Sequence, residues 1–409
     1  MPDVYSPQVY ADGIPYDVYA EMRDEEPVSW QEEPALPTSP EGPGFWAIMR
    51  HRDVQFVSRT PAIFSARLGG TQLRDPDPAD LPYLRSMLLN MDPPEHNRYR
   101  KIISRTFSPA NIAAFDAFIG DHVAKLLAPL RERDTCDVVT ELTDEVALST
   151  LTHVLGVPHE DRKFFFDWAN RVIGYHDEDY NDLDGTDAVV DRRSPSELAD
   201  MIEYARKLAD YRRRNPGDDL ITALVHSESD GRSLTDAEFQ NFFFLLAVAG
   251  NDTTRSALPG ALMSLMAHPD QYALLRAQPE LIGTAVEECL RYAPPVIHFR
   301  RTAKVDTALS GVQIGSGDKV VVFYPAANRD PEAFDEPDTF TITRTGAAHV
   351  SFGYGPHVCV AAALARTQMR HVLGGVTRAF SSIHDAGPPE RLLSNFVTGM
   401  KHLEIALRV

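Results

Sequence analysis

The residue best placed to do chemistry is Cys359, in the segment FGYGPHVCVAAALAR over residues 352–366. Gly353, Gly355 and Pro356 predict a tight loop that brings backbone close to a flat ligand. The apolar run after the cysteine predicts a helix start. Backbone N–H groups there would lower the thiol pKa and donate hydrogen bonds to the sulfur. A thiolate held in this way is a soft metal ligand. A single cysteine ahead of a helix is more often a buried structural residue, so the reading depends on what accompanies it.

Other segments supply complementary chemistry. AGNDTT, residues 249–254, lies inside the longest helical pattern of the chain. A mid-helix glycine such as Gly250 costs about 1 kcal/mol relative to alanine. The adjacent threonines can bond back to the i−4 carbonyl, so the pattern predicts a local opening of the helix. Asp252 and Thr253 then offer an acid and an alcohol, the parts of a proton relay. Glu288 and Arg291, three apart in ECLR, share a helical face; alone they would be a surface ion pair of little value. His96 and Arg100 in MDPPEHNRYR, with Arg301 in FRRTA, are cations of the kind that carboxylates of a buried ligand require.

Taken together these segments resemble the cytochrome P450 family. The cysteine segment is similar to the family's F-x-x-G-x-x-x-C-x-G pattern, except that Ala361 stands where the family has its last Gly. The resemblance implies haem b, with Cys359 as the axial iron ligand and Phe352 packed beside the sulfur. It implies that His96, Arg100, Arg301 and His357 bind the haem propionates, Arg300 being less suited than its neighbour. Ala249 would border the haem, and Gly250, Asp252 and Thr253 would form the catalytic set, matching the family's glycine ahead of an acid–alcohol pair. Glu288 and Arg291 would lock onto Arg329, in NRDPEAFDEPDTF, as structural residues. The implied activity is that of a haem-thiolate monooxygenase inserting one oxygen atom from dioxygen, with electrons from NAD(P)H through a ferredoxin reductase and a ferredoxin. Arg98, Lys101, Arg105, Arg366 and Arg370 are the residues that would receive the ferredoxin, and a monomer is implied.

By position in that family, Leu88, Leu89, Phe244, Val248, Ala249, Val296, Ile297, Phe396 and Val397 would line the substrate pocket, together with parts of the 65–90 and 170–190 segments. Most are apolar, which points to a hydrophobic substrate: a steroid, a terpenoid or a branched lipid. A macrolide or polyketide tailoring hydroxylase or epoxidase is the alternative. A peroxide-driven enzyme is a lesser one, because the acid–alcohol pair is intact. His298 is the polar exception; it reads as a partly exposed loop residue, with a hydrogen bond to a substrate oxygen as the alternative.

The elements that must position these groups are mostly helical. Thr235 and Glu238 predict a capping box opening a helix that runs to about His268. Further helices are predicted over much of 94–225, over 281–293 and after Cys359. Strands are predicted in FWAIMR and over 301–325, with an acidic loop at HDEDYNDLDGTDAVVDRRS and coil over 328–350. No repeat or linker divides the chain. The expectation is a mainly α fold: residues 1–409 as one α-rich domain with small β-sheets around a buried haem. A net charge of −19 argues against nucleic acid or an anionic membrane as a partner. Three widely spaced cysteines give no disulfide framework, which suits a reducing cytoplasm. The N-terminus has no basic-then-apolar leader pattern, and the longest apolar run, 242–250, is about half of what a membrane span requires.

Overall fold

Asp236–Ala267 forms a 32-residue helix around which the rest of the α-helical body packs. The capping box is present: the Thr235 hydroxyl accepts from the Glu238 N–H, and the Glu238 carboxylate accepts from the Thr235 N–H. Helices Asp144–Leu155, Arg162–Ile173, Ala199–Arg214 and Ile282–Tyr292 lie against it. Burial of Phe239, Phe242, Phe243 and Leu246 among these neighbours stabilises a helix too long for propensity alone. The computed structural model describes residues 2–37, 39–174, 176–177, 179, 197–229 and 232–409. Most of the expected acidic loop, and with it much of the 170–190 segment, lies outside the described residues.

The expected opening of the helix at 249–254 is not found; the helix runs unbroken through it. Thr253 Oγ1 donates to the Ala249 carbonyl at 2.9 Å without interrupting the turn. Gly250 serves close packing instead. A Cβ there would lie 2.9 Å from Leu151 Cδ1, so the glycine lets the Asp144–Leu155 helix approach.

Beside the helices stands a five-stranded sheet ordered Val28–Gln31, Phe45–Ile48, Lys319–Phe323, His298–Ala303, Phe64–Ser65. Lys319–Phe323 pairs in parallel with Phe45–Ile48, and antiparallel with His298–Ala303, where Val320 faces Arg301. A three-stranded sheet joins Ser382–Asp385, Glu404–Arg408 and Thr135–Asp137. The helix after the cysteine loop is Ala362–Ala379.

The Glu288–Arg291 pair is buried, with side chains 1% and 2% exposed, rather than on the surface. Arg329 is not its partner. That guanidinium lies 4.1 Å from the Tyr16 ring centroid and 3.8 Å from that of Tyr292, and pairs with Asp338 at 2.8 Å. The second cation on Glu288 is Arg344, at 3.0 Å. Arg291 donates to the carbonyls of Asn328, Pro337 and Thr339, so the pair fastens the coil that leads to the cysteine loop. The two aromatic faces satisfy Arg329 where it stands, and the coil carries Arg344 back to the carboxylate instead.

Removing one member of this buried set strands the others without solvent, a loss on the order of 3 kcal/mol. Glu288→Ala and Arg344→Ala should therefore lower the urea midpoint clearly, while Glu203→Ala, in an exposed pair with Arg206, should leave it nearly unchanged. Equal small losses at all three positions would contradict this account.

Candidate active site

The cysteine loop is fixed by its own backbone. Gly353 and Gly355 adopt φ of 72° and 71°, a left-handed conformation that favours glycine. A Cβ on Gly355 would stand 2.7 Å from the Ser58 carbonyl oxygen, so the loop lies directly on helix His51–Arg59. The Cys359 N–H donates to the Phe352 carbonyl at 2.8 Å and closes the loop. The Phe352 ring is stacked under Arg366, which a bidentate pair with Glu287 holds in place. Arg366 is half-buried and committed to this pair, whereas Lys101, Arg105 and Arg370 are exposed.

The helix begins three residues after Cys359, later than the sequence suggested, and one backbone N–H, that of Ala361, bonds the thiol. Burial raises the thiol pKa above its ordinary value; the Ala361 N–H, Arg100 and Arg366 pull it back only in part. The expected lowering by the helix start is therefore outweighed by desolvation. Ala361 itself has φ −93°, which any residue adopts, so replacing glycine there creates no backbone strain.

Cys359 opens onto a cavity lined mostly by apolar side chains. Leu88, Leu89, Phe244, Val248, Ala249, Val296, Phe396 and Val397 all line it, as expected. Leu151, Val154 and Leu155, on a helix the sequence did not single out, join them. Ile297 does not. Successive residues of an extended segment face opposite ways, and Ile297 is buried with Val4, Tyr5, Phe45 and Phe323 in the N-terminal core.

His96, Arg100, Arg301 and His357 converge on this cavity. The two imidazoles lie 4.3 Å apart, and the nearby guanidinium groups depress both. Burial is the larger cause, taking His357 down to about 2. Arg301 is buried and, among the described residues, its guanidinium donates only to the Arg300 carbonyl. Neither ring nitrogen of His96, nor Nε2 of His357, makes a well-formed hydrogen bond. Arg300, by contrast, is spent on Asp75 and the Leu73 carbonyl. Asp92, within electrostatic reach of His96 and Arg301, accepts hydrogen bonds from Ser65 and the Ala66 N–H, so the four donors suit a ligand that brings its own carboxylates. A thiol on one wall, carboxylate-seeking donors, and apolar surface elsewhere are what a haem requires.

Comparison with known proteins agrees. The family model for cytochrome P450 matches residues 39–407. The chain belongs to the cytochrome P450 family. The steroid C26-monooxygenase of Mycobacterium tuberculosis is 37% identical, over 98% of this chain and 92% of that protein. Linalool 8-monooxygenase of Pseudomonas putida is 34% identical, over 99% and 98%. The structure of a Mycobacterium marinum cytochrome P450 in complex with pseudoionone superposes with a TM-score of 0.88 at 36% identity, covering 99% of this chain and 98% of that one. The protein is a monooxygenase of this family.

In this P450 the acid of the long helix does not act alone. Arg255, one turn on, donates to Asp252 Oδ1 at 3.2 Å, to Asn170 at 2.9 Å and in bidentate fashion to Asp144 at 2.9 and 3.1 Å. Its guanidinium also stacks 4.4 Å from the Phe166 ring centroid. The i, i+3 spacing of Asp252 and Arg255 was present in DTTR but indistinguishable from a surface pair; burial makes it a network. Asp252 Oδ2 faces no partner among the described residues. Burial first, then Asp144, raises the Asp252 pKa to about 6 against the pull of Arg255. The carboxyl can therefore both hold and release a proton near neutrality.

A carboxyl raised on folding contributes stability below the unfolded value, lost as pH rises through about 6. Asp252→Asn should thus be more stable than the parent at pH 8, by roughly 2–3 kcal/mol. The advantage should shrink as pH falls from about 6 to about 4 in parallel denaturation series. A pH-independent difference would contradict the assignment.

Proposed function

We propose that the protein inserts one oxygen atom of dioxygen into an apolar, methyl-branched small molecule of the steroid, terpenoid or branched-lipid kind. The observation that carries this reading is the apolar cavity with a single thiol on its wall and the Asp252–Thr253 pair beside it. Relatives named for steroid, linalool and methyl-branched lipid oxidation support the substrate class. Tailoring of a larger polyketide is the second reading, favoured by the likeness to the cytochrome P450 of the bacillaene polyketide synthase, at 28% identity and a TM-score of 0.86.

Haem b is the proposed cofactor. Cys359 would hold the iron, His96, Arg100, Arg301 and His357 would bind the propionates, and Phe352 with Arg366 would shield the sulfur from water. When bound, the haem supplies the activation of dioxygen. The chain supplies the surroundings. Leu88, Leu89, Phe244, Val248, Val296, Phe396 and Val397 exclude water and orient the substrate, with Ala249 and Gly250 keeping the helix surface low. Asp252 holds a proton at its carboxyl and Thr253 presents its hydroxyl to the cavity for onward transfer. Glu288, Arg291 and Arg344 keep the coil under the cysteine loop in place, and Arg329 ties it to the N-terminal segment. Electrons would come from NAD(P)H through a ferredoxin reductase and a ferredoxin docking near Lys101 and Arg105, onto a cytoplasmic monomer.

The reduced, carbon monoxide-bound spectrum tests the ligand: the far-red Soret band of a thiolate should be present, and absent in Cys359→Ser. A Cys359→Ser protein that keeps the band would sink the reading. Thr253→Ala should keep the spectrum while releasing most reducing equivalents as hydrogen peroxide, against a tightly coupled parent. Unchanged coupling, measured with a steroid or terpenoid that turns over, would remove Thr253 from the relay.

A further inference from the structure

A second, smaller chamber adjoins the main cavity, and the proposed chemistry gives it no role. Ser39, Gln72, Arg74, His298, Asn395 and Phe396 are among its walls. Gln72, Arg74 and Phe396 also line the main cavity, so the two spaces share a partition. His298, expected to be a partly exposed loop residue, is the first residue of strand His298–Ala303 and only 1% exposed. Its ring lies 5.6 Å from the Phe323 centroid and 5.7 Å from that of Phe396. Neither ring nitrogen has a hydrogen-bond partner among the described residues.

A buried polar group left unpaired destabilises the fold, and an apolar residue could fill this place without that cost. The strand pairing of His298 with Phe323 fixes the backbone, so the ring cannot swing out to water without breaking the sheet edge. Burial also pushes the imidazole down to about 3, leaving it neutral at physiological pH. A neutral imidazole offers one N–H and one lone pair, which match an uncharged oxygen better than an anion.

We propose that this chamber is a substrate subsite, in which His298 hydrogen-bonds a hydroxyl or ketone oxygen at the end of an apolar substrate remote from the carbon oxidised. The subsite rests on the apolar-substrate reading above. It adds one polar anchor to a cavity that otherwise selects by shape, and so fixes which end of the molecule approaches Cys359. Phe396, which lines both spaces and packs against His298, is the side chain that stands between them.

The test uses the haem-loaded parent, His298→Phe and His298→Gln, titrated by calorimetry and by the Soret shift. The probes are farnesol, farnesoic acid and farnesene, and androstanol with its parent hydrocarbon androstane. For at least one skeleton the parent should bind the alcohol about tenfold tighter than the hydrocarbon, the discrimination a lost buried hydrogen bond produces. That ratio should fall close to one in His298→Phe and be kept in part by His298→Gln, which retains a neutral donor and acceptor. Equal binding of alcohol and hydrocarbon by the parent, or a ratio unchanged in His298→Phe, would overturn the subsite alone. Tighter binding of the acid than of the alcohol would overturn it in favour of an anion site at Arg74. Failure of the alcohols and hydrocarbons alike to bind would overturn the apolar-substrate reading, and the subsite with it.

Discussion

Two guanidinium groups and two imidazoles, brought together in an apolar interior, set the terms for this structure. Burial lowers the pKa of all four, and Arg100 and Arg301 depress the two imidazoles further. Burying such donors without a full set of partners is costly, so a fold that assembles them is built for a ligand carrying carboxylates. The same cavity holds Cys359, whose thiol pKa burial raises. These donors and the cavity-facing thiol suit one ligand in common, the haem that the family implies, with its two propionates.

Holding these groups in register takes several separate elements. Arg301 comes from the sheet, His96 and Arg100 from helix Glu95–Thr106, and His357 and Cys359 from the glycine loop. The loop is pinned on one side by helix His51–Arg59 and fed on the other by a coil with little hydrogen-bonded structure of its own. The Glu288, Arg291 and Arg344 set replaces that missing regularity: one buried guanidinium satisfies three carbonyls of the coil. A buried charged network is a poor source of net stability but a strong source of uniqueness, because any other arrangement leaves a charge unpaired. Across the cavity, Arg255 bridges the carboxyl groups of Asp252 and Asp144, and burial raises the Asp252 pKa to about 6 against its pull.

Much of this was legible because the relevant signals are local. The capping box at Thr235 and Glu238, the left-handed glycines of the loop, and the strand with Arg301 depend on neighbours within a few residues. The apolar pocket was also legible in outline. Where expectation failed, the deciding contact was distant in sequence. Arg344 took the place foreseen for Arg329 because Tyr16 and Tyr292 offer Arg329 two aromatic faces. Ile297 turned into the N-terminal core because the pleat alternates, and which face meets the cavity is settled by the sheet's partners.

The sequence by itself determined which residue types would meet in the site: one thiol, an acid beside an alcohol, and basic residues at helix and strand positions suited to carboxylates. Spacing along the chain was enough for that, because helix caps, glycine turns and the i, i+3 and i, i+4 rows are local geometry. Only the tertiary structure decided their protonation and their partnerships. Burial outweighs charge in setting the state of Asp252 and His298, and burial depends on packing between segments far apart in the chain. Distance from water is a property of the whole fold, and no window of sequence carries it.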